Sequence, residues 1–216
     1  MIYAFIPVRG GSKSIPLKNI KKINDKPLVE WVIDTSLNSN IDTVIVSTDS
    51  NKIADVVNNA KIFWRHPKTA TDTATSESAL IEFAETLSPD DIIVFIQATS
   101  PLITSDEINE GIKLILSDEY DSVLSVVPQK RFIWNSDGTP TYDLGKRPRR
   151  QDWDGILVEN GAFYISKVKD ILETGCRVSG RIGMVKCSEE SYYEIDEPSD
   201  WIIVENLLKQ KYDNLH

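Results

Sequence analysis

The residues best suited to bind phosphate lie in one short segment, 9–19, near the start of the chain. It contains a Gly-Gly pair and three basic side chains, Arg9, Lys13 and Lys18. Glycine lets backbone N–H groups approach an anion closely, and basic side chains can neutralise its charge. The segment has neither the Gly-Lys-Ser/Thr order of a Walker A loop nor a G-x-G-x-x-G pattern. Its composition favours a phosphate site over the alternative, a solvated basic loop that uses glycine only to turn.

Two acidic residues near the end of the chain could bind a metal ion. Glu194 and Asp196 are separated by one residue, so both would point to the same side of an extended segment. Carboxylate oxygens are suitable ligands for Mg²⁺. The alternative is structural, because Asp196, Glu197 and Pro198 together also form a typical helix start. Both interpretations remain open from the residues alone.

Other kinds of chemistry find little support in the sequence. The two histidines are His66 and His216, so Ser-His-Asp hydrolysis, Cys-His chemistry and histidine-rich zinc sites have almost no basis. Cys176 and Cys187 are too few for a disulfide framework and suggest reduced thiols in a cytoplasmic protein. No segment approaches the roughly 18 apolar residues that span a bilayer, and the first strand lacks the features of a secretion signal.

The distribution of charge favours a small anionic ligand. The formal net charge is −9, which argues against general binding to nucleic acid. Positive charge is nevertheless concentrated in the first loop and in a second patch, Lys146, Arg147, Arg149 and Arg150. An acidic chain with two local basic patches suits a small anion better than a polyanion. The second patch could instead be a nuclear-import signal, but we favour a compact cytoplasmic enzyme.

Apolar runs and helical patterns alternate along most of the chain and indicate the elements that position these side chains. Apolar runs predict strands at 2–8, 43–47, 61–64, 91–97, 122–127, 161–165 and 183–186. Helical patterns predict helices at 27–38, 50–59, 75–86, 105–116 and 198–211. We expect Asp49 or Ser50 to cap the second helix and Ser105 to cap the fourth. The alternation predicts one domain over 1–216 with a doubly wound, mostly parallel α/β sheet of the Rossmann-like kind.

The alternation breaks at about 128–158. This stretch is rich in proline, arginine and aromatic residues and is too long for an ordinary connection. The Asp137-Gly138 pair predicts a hairpin turn, so we expect a small β-rich insertion that acts as a lid or a dimer contact. Exposed aromatic residues often mark an interface, and Phe132, Trp134 and Trp153 therefore favour a homodimer.

Several motifs, in one order along nearly the whole chain, resemble the acylneuraminate cytidylyltransferase family. The first loop is similar to the family signature R-G-G-S-K-G-I-P-x-K-N, except that Ser14 replaces a glycine. The resemblance continues in the segments 47–49, 72–76 and 97–102. It is strongest in KRPRRQDWDG, residues 146–155, and in Glu159-Asn160-Gly161, which look like the animal-type enzymes. A second departure is Glu194, where the family usually has aspartate.

The resemblance implies a nucleotidyltransferase fold and a set of site residues. By it, Arg9, Lys13, Lys18 and Asn19 would hold the triphosphate of CTP, with the three basic residues acting in catalysis. Arg65, Ala74 and Ser76 would contact the nucleoside. Gln97, Arg150, Asn160 and Tyr164 would contact an acidic nine-carbon sugar, with Arg150 on its carboxylate. Asp196 and Glu194 would hold the cofactor, Mg²⁺.

The implied reaction is attack of the anomeric hydroxyl of a sialic acid on the α-phosphate of CTP, which forms CMP-sialic acid and diphosphate. Thr99 stands where the related Kdo enzymes have an aspartate, which favours a nine-carbon sugar. Legionaminate, pseudaminate, KDN and Kdo remain alternative substrates. A non-catalytic nucleotide-binding regulator is a further alternative. The proton acceptor is also open among a metal-bound hydroxide, a carboxylate and solvent.

Overall fold

A central sheet of seven strands organises the protein, whose structure is a computed structural model that describes residues 1–11 and 14–213. Lys13 and His216 lie outside the described residues. The strands are β1 (Ile2–Pro7), β2 (Lys22–Ile23), β3 (Lys26–Pro27), β4 (Thr43–Thr48), β5 (Lys61–Trp64), β6 (Ile92–Ile96), β7 (Ser122–Gln129), β8 (Ile156–Lys167) and β9 (Ile182–Lys186). The helices are α1 (Leu28–Leu37), α2 (Asn51–Ala54), α3 (Ser76–Ala84), α4 (Ser105–Leu116), α5 (Val168–Thr174) and α6 (Pro198–Asp213).

The large sheet has the strand order β5-β4-β1-β6-β8-β7-β9, and β2 and β3 form a separate small hairpin. Its pairs are parallel except where β8 lies antiparallel between β6 and β7. The antiparallel strand arises because the segment 130–155 leaves the end of β7 and returns to the same edge of the sheet. The predicted doubly wound, mostly parallel α/β sheet is confirmed.

Hydrophobic packing covers both faces of the sheet. On one face, α1 and α4 pack with apolar side chains such as Val32, Ile33 and Ile112. On the other face, α3 and α5 contribute side chains such as Leu80 and Ile171. The inner strands β1 and β6 are therefore buried on both faces, which explains why they are continuous apolar runs in the sequence. Among the described residues, no helix is both long and apolar enough to cross a membrane.

A third cluster attaches α6 to the first loop. Trp201 and Leu208 of α6 pack against Ile15 and Trp31, and Ile195 is buried in the same cluster. Residues 194–196, just before α6, are therefore held close to the loop that follows β1. This packing is what brings the two predicted chemical segments together across the length of the chain.

One helix was predicted to be longer than it is, and another helix was not predicted. The second helix, predicted over 50–59, covers only Asn51–Ala54. The β-branched Val56 and Val57 have lower helix propensity, and Asn59 adopts a left-handed backbone conformation with φ 57°. The helix α5 was not predicted, because its seven residues bury only two side chains and give too weak a periodicity.

The insertion differs from the expectation of a β-rich unit. Within the described residues it has one isolated β-bridge, between Trp134 and Pro140, around the predicted turn at Gly138. Side-chain stacking takes the place of strand pairing: the rings of Phe132 and Trp153 lie 4.9 Å apart. Proline and closely spaced arginines disfavour a regular ladder of hydrogen bonds here. The predicted hairpin turn is present, and the prediction of a β-rich insertion was wrong.

The predicted cap of α4 was wrong by one residue. Thr104, not Ser105, is the N-cap: its Oγ1 accepts from the Glu107 backbone N–H, and a Glu107 carboxylate oxygen accepts from the Thr104 N–H at 2.8 Å. The other oxygen of this carboxylate accepts from the Ser188 N–H. This reciprocal arrangement satisfies two N–H groups that the helix itself leaves unpaired.

The capping box gives a test of the fold. We expect Thr104→Ala to lower the free energy of unfolding by about 1 kcal/mol, since an N-cap side chain contributes about that much. Ser105→Ala is the matched control and should change it by less than about 0.5 kcal/mol. Urea denaturation followed by circular dichroism measures both. Equal losses for the two variants would contradict the assignment of the cap.

Candidate active site

Nine of the predicted site residues line one open cavity of about 540 Å³. They are Arg9, Lys18, Asn19, Arg65, Ala74, Ser76, Gln97, Glu194 and Asp196. The cavity lies beyond the carboxyl ends of β1, β5 and β6, next to the point where the strand order reverses. This is the position at which open α/β sheets bind ligands.

The Gly-Gly turn is held by an aspartate from the neighbouring strand. The Gly10 N–H donates to Asp49 Oδ1 at 2.8 Å. A Cβ atom at Gly10 would lie 3.0 Å from Ser50 Cβ, so glycine is required by close packing. Because Asp49 already accepts from Gly10, this N–H is not available to a phosphate. In the described part of the loop, the positive charge toward a ligand comes from side chains.

Lys18 joins the first loop to the segment before α6. Its side chain is almost completely buried, and Nζ donates to the Ile195 carbonyl at 2.7 Å and to Asp196 Oδ1 at 3.1 Å. The Ile195 N–H in turn donates to the carbonyl of Thr99, after β6. A lysine ammonium has three N–H donors, so two of these bonds leave one donor for a ligand. Arg9, on the opposite side of the loop, donates to Asp72 Oδ1 at 2.7 Å.

The groups predicted to contact the nucleoside also line this cavity. Arg65 follows β5, and its Nε donates to Ser47 Oγ at 3.0 Å. Burial lowers the pKa of Arg65, while the nearby carboxylates of Asp49 and Glu82 act in the opposite direction. Ala74 and Ser76 stand at the N-terminus of α3, which Thr75 caps. The free N–H groups of that helix end favour acceptor atoms on a ligand.

The acidic side of the cavity fits a magnesium ion. Burial, reinforced by the negative charge of Asp196, raises the pKa of Glu194. Asn19 Oδ1 is buried and has no hydrogen-bond partner in the described structure, so the cavity also has an acceptor oxygen without a donor. No group of three His, Cys, Asp or Glu side chains in residues 1–11 and 14–213 could hold a metal ion. Two carboxylates and one amide oxygen leave most of a Mg²⁺ shell to phosphate and water oxygens, which is how proteins usually bind this ion.

Three predicted sugar contacts lie outside this cavity. Arg150 faces a second cavity of about 660 Å³, together with Arg131, Tyr192 and other residues. Asn160 is buried, and its amide is engaged with Ser125 Oγ and with the Ser191 backbone and side chain. Within one chain, the structure does not bring Arg150 to the other site residues, because the insertion that carries it leaves the sheet on that side.

Tyr164 lies outside the cavity, close to its acidic side. Its hydroxyl donates to Glu159, and its ring packs on Phe95. Burial, followed by this hydrogen bond, raises the pKa of Tyr164. A Cβ built on Gly161 would lie about 4 Å from both Tyr164 Oη and Glu194 Oε2, so the tyrosine is a near neighbour of the acidic side.

Sequence reasoning did not assign roles to three residues that shape the cavity. Ser47 orients Arg65, Asp49 holds the Gly10 turn, and Asp72 pairs with Arg9. All three lie in motifs that carry the family resemblance. The available signal was their position, since Ser47 and Asp49 are polar residues at the carboxyl end of a buried strand.

The fold and this cavity define an α/β protein with a nucleotidyltransferase fold. A CMP:2-keto-3-deoxy-manno-octonic acid synthetase complexed with CTP has a TM-score of 0.73, at 17% identity, with 97% of this chain and 99% of that chain covered. The 4-diphosphocytidyl-2C-methyl-D-erythritol synthase from Anaerococcus prevotii has a TM-score of 0.71 at 15% identity, with 96% of each chain covered. At these identities the likeness concerns the fold alone.

The chain belongs to the cytidylyltransferase family, whose model matches residues 3–211. N-acylneuraminate cytidylyltransferase B of Danio rerio is 40% identical over 212 residues, which cover 94% of this chain and 50% of the relative. The enzyme of the same name from Oncorhynchus mykiss is 38% identical and matches 94% of this chain and 49% of its own length. These relatives confirm the resemblance to the animal-type enzymes. The chain spans about half the length of the curated relatives it matches.

The contact between Asp49 and Gly10 gives a prediction about the loop. Asp49→Ala should weaken binding of CTP about tenfold, because losing a hydrogen bond to a charged group costs about 1.5 kcal/mol. Asp49→Asn retains an acceptor oxygen and should lose less than about threefold. Isothermal titration with CTP and Mg²⁺ compares the two variants. If asparagine were as harmful as alanine, the role of Asp49 would depend on its charge and not on the hydrogen bond.

Proposed function

We propose that this protein is an N-acylneuraminate cytidylyltransferase, which joins CMP from CTP to N-acetylneuraminate and releases diphosphate. The observation that carries the proposal is the meeting of Arg9, Lys18, Arg65, Gln97 and Asp196 in one cavity at the carboxyl edge of the sheet. Membership of the cytidylyltransferase family supports the nucleotide, and the names of relatives at 38–40% identity support the sugar.

The proposed step is a displacement at the α-phosphorus of CTP. The anomeric hydroxyl oxygen forms a bond to this phosphorus, and the bond to the bridging oxygen of the β-phosphate breaks. Diphosphate leaves with the electron pair, and the hydroxyl proton passes to an acceptor. The main obstacle is electrostatic, since two like charges about 4 Å apart repel by about 4 kcal/mol at an effective dielectric constant of about 20. Arg9 and Lys18 offset that repulsion on the nucleotide side.

Mg²⁺ completes the proposed site. Asp196 and Glu194 would hold it, and its role would be to neutralise the charge that develops on the departing diphosphate. The raised pKa of Glu194 is consistent with a carboxylate that gains from a nearby cation, because burial disfavours its ionised form. Lys13 remains a proposed phosphate contact outside the described residues.

The sugar is proposed to lie between Gln97 and Tyr164. Within one chain Arg150 faces the second cavity, so its proposed contact with the sugar carboxylate requires the other subunit of the proposed homodimer. Gln97 follows β6 and lines the cavity, and Thr99 occupies the position two residues later. Tyr164 packs on Phe95, two residues before Gln97. A nine-carbon acidic sugar rather than Kdo is favoured because Thr99 contributes no carboxylate there.

A homodimer in the cytoplasm, without nucleic-acid or membrane partners, completes the proposal. The insertion exposes about half of the Trp134 side chain, which supports an interface on this surface. Cys176 and Cys187 are free thiols, as expected for a reducing compartment. The formal net charge of −9 disfavours nucleic acid as a partner.

The decisive assay incubates the protein with CTP, Mg²⁺ and N-acetylneuraminate, followed by mass analysis of the products. We expect CMP-N-acetylneuraminate and diphosphate in equal amounts, and much slower turnover with KDN, legionaminate, pseudaminate or Kdo. Lys18→Ala is the matched control and should lower kcat by about a hundredfold or more, because it removes a charge from the reacting phosphates. Binding of CTP without turnover on any of these sugars would favour a regulatory protein instead.

A further inference from the structure

Both described cations that face the proposed triphosphate are already paired with aspartates. Arg9 Nη1 lies 2.7 Å from Asp72 Oδ1, and Lys18 Nζ lies 3.1 Å from Asp196 Oδ1. Asp196 lines the cavity, and Asp72 Oδ1 lies beside the Gly-Gly turn, 3.9 Å from a Cβ atom built on Gly11. The charges of Arg9 and Lys18 are therefore partly offset before a nucleotide arrives.

The two partners in each pair differ in exposure. The side chains of Arg9 and Lys18 are 33% and 10% exposed, whereas those of Asp72 and Asp196 are 49% and 63% exposed. In each pair the carboxylate is therefore the more exposed partner, and the cation lies deeper in the protein. An entering anion meets the carboxylate as the group closer to solvent.

Each cation also has a second acceptor that keeps it in place without its aspartate. Lys18 Nζ donates to the Ile195 carbonyl at 2.7 Å, and Arg9 Nη1 donates to the Thr71 carbonyl at 3.3 Å. These backbone carbonyls carry no net charge. Loss of either aspartate therefore leaves the cation anchored and removes mainly the negative charge beside it.

We propose that Asp72 and Asp196 are internal counter-ions of Arg9 and Lys18 that CTP must displace. On binding, Asp72 gives up its contact with Arg9, and Asp196 gives up its contact with Lys18. Asp196 would then be available to hold Mg²⁺ and would no longer compete with phosphate for Lys18, so the metal would favour nucleotide binding in a second way. This inference rests on the proposed function, and it gives Asp72 a role in nucleotide affinity, for which the sequence alone assigned it none.

The test measures binding without turnover. The dissociation constant of CTP is determined by titration calorimetry in EDTA for the wild-type protein, Asp72→Asn and Asp196→Asn. Each variant should bind CTP about fivefold more tightly, which corresponds to removing a unit-charge repulsion over about 8 Å in a partly solvated cleft. Cytidine, which has no phosphate, should bind all three proteins equally, and this equality also shows that the cavity is intact.

Asp118→Asn is the control for net charge. Asp118 pairs with Lys167 at 2.6 Å, outside the cavity, and its substitution removes the same single negative charge. It should leave the affinity for CTP within about 1.5-fold of wild type. With Mg²⁺ present, Asp72→Asn should keep the metal-dependent gain in affinity, while Asp196→Asn should lose most of it.

The proposal is wrong if Asp72→Asn or Asp196→Asn binds metal-free CTP no more tightly than the wild-type protein does. That result is expected if the aspartates only hold Arg9 and Lys18 in position. If the wild-type protein turns over CTP while the variants fail to tighten, only the counter-ion role falls. If the wild-type protein binds no CTP even with Mg²⁺, the proposed function falls as well.

Discussion

The bond from the Lys18 ammonium to the Ile195 carbonyl connects the two halves of the cavity. Lys18 belongs to the loop after β1, whereas Ile195 belongs to the segment before α6, 177 residues later. Ile195 is buried in the cluster around Trp201, and Lys18 is itself buried. A lysine kept almost entirely from water needs strong acceptors, which the Ile195 carbonyl and Asp196 supply. Together with the packing of α6, this contact holds Asp196 beside the loop that follows β1.

The sheet supplies the other walls of the cavity. The carboxyl ends of β1, β4 and β5 are adjacent, so the side chains after them meet in space although they are distant in sequence. Residues at the end of β4 contact the loops after both neighbouring strands. Ser47 accepts a hydrogen bond from Arg65 after β5, and Asp49 accepts one from Gly10 after β1. The geometry of the proposed nucleotide site therefore depends on parallel pairing, and loop composition alone does not determine it.

Much of the architecture could be predicted because buried strands leave a strong signal. The runs at 2–8 and 91–97 match β1 and β6 closely, since a strand covered on both faces must be apolar throughout. The helix over 105–116 was also predicted correctly in extent, because its apolar face is regular. Its cap was misplaced, since Thr104 and Ser105 are both good caps and the choice depends on backbone geometry.

The sequence also predicted only some of the residues that line the cavity. Residues on loops at strand ends, such as Arg9, Arg65 and Gln97, reach the cavity as expected because the topology places them there. Arg150 does not, since a long irregular insertion carries no periodicity that fixes its direction. The pairing of Asp72 with Arg9 joins two loops 63 residues apart, and no local pattern predicts such a contact.

A crystal structure of the protein with CTP and Mg²⁺ would test the proposed nucleotide site most directly. The triphosphate should contact Lys18 and Arg9, with the cytosine near Arg65 and the N-terminus of α3. A nucleotide bound in the second cavity beside Arg150, with the cavity around Lys18 filled only by water, would contradict it.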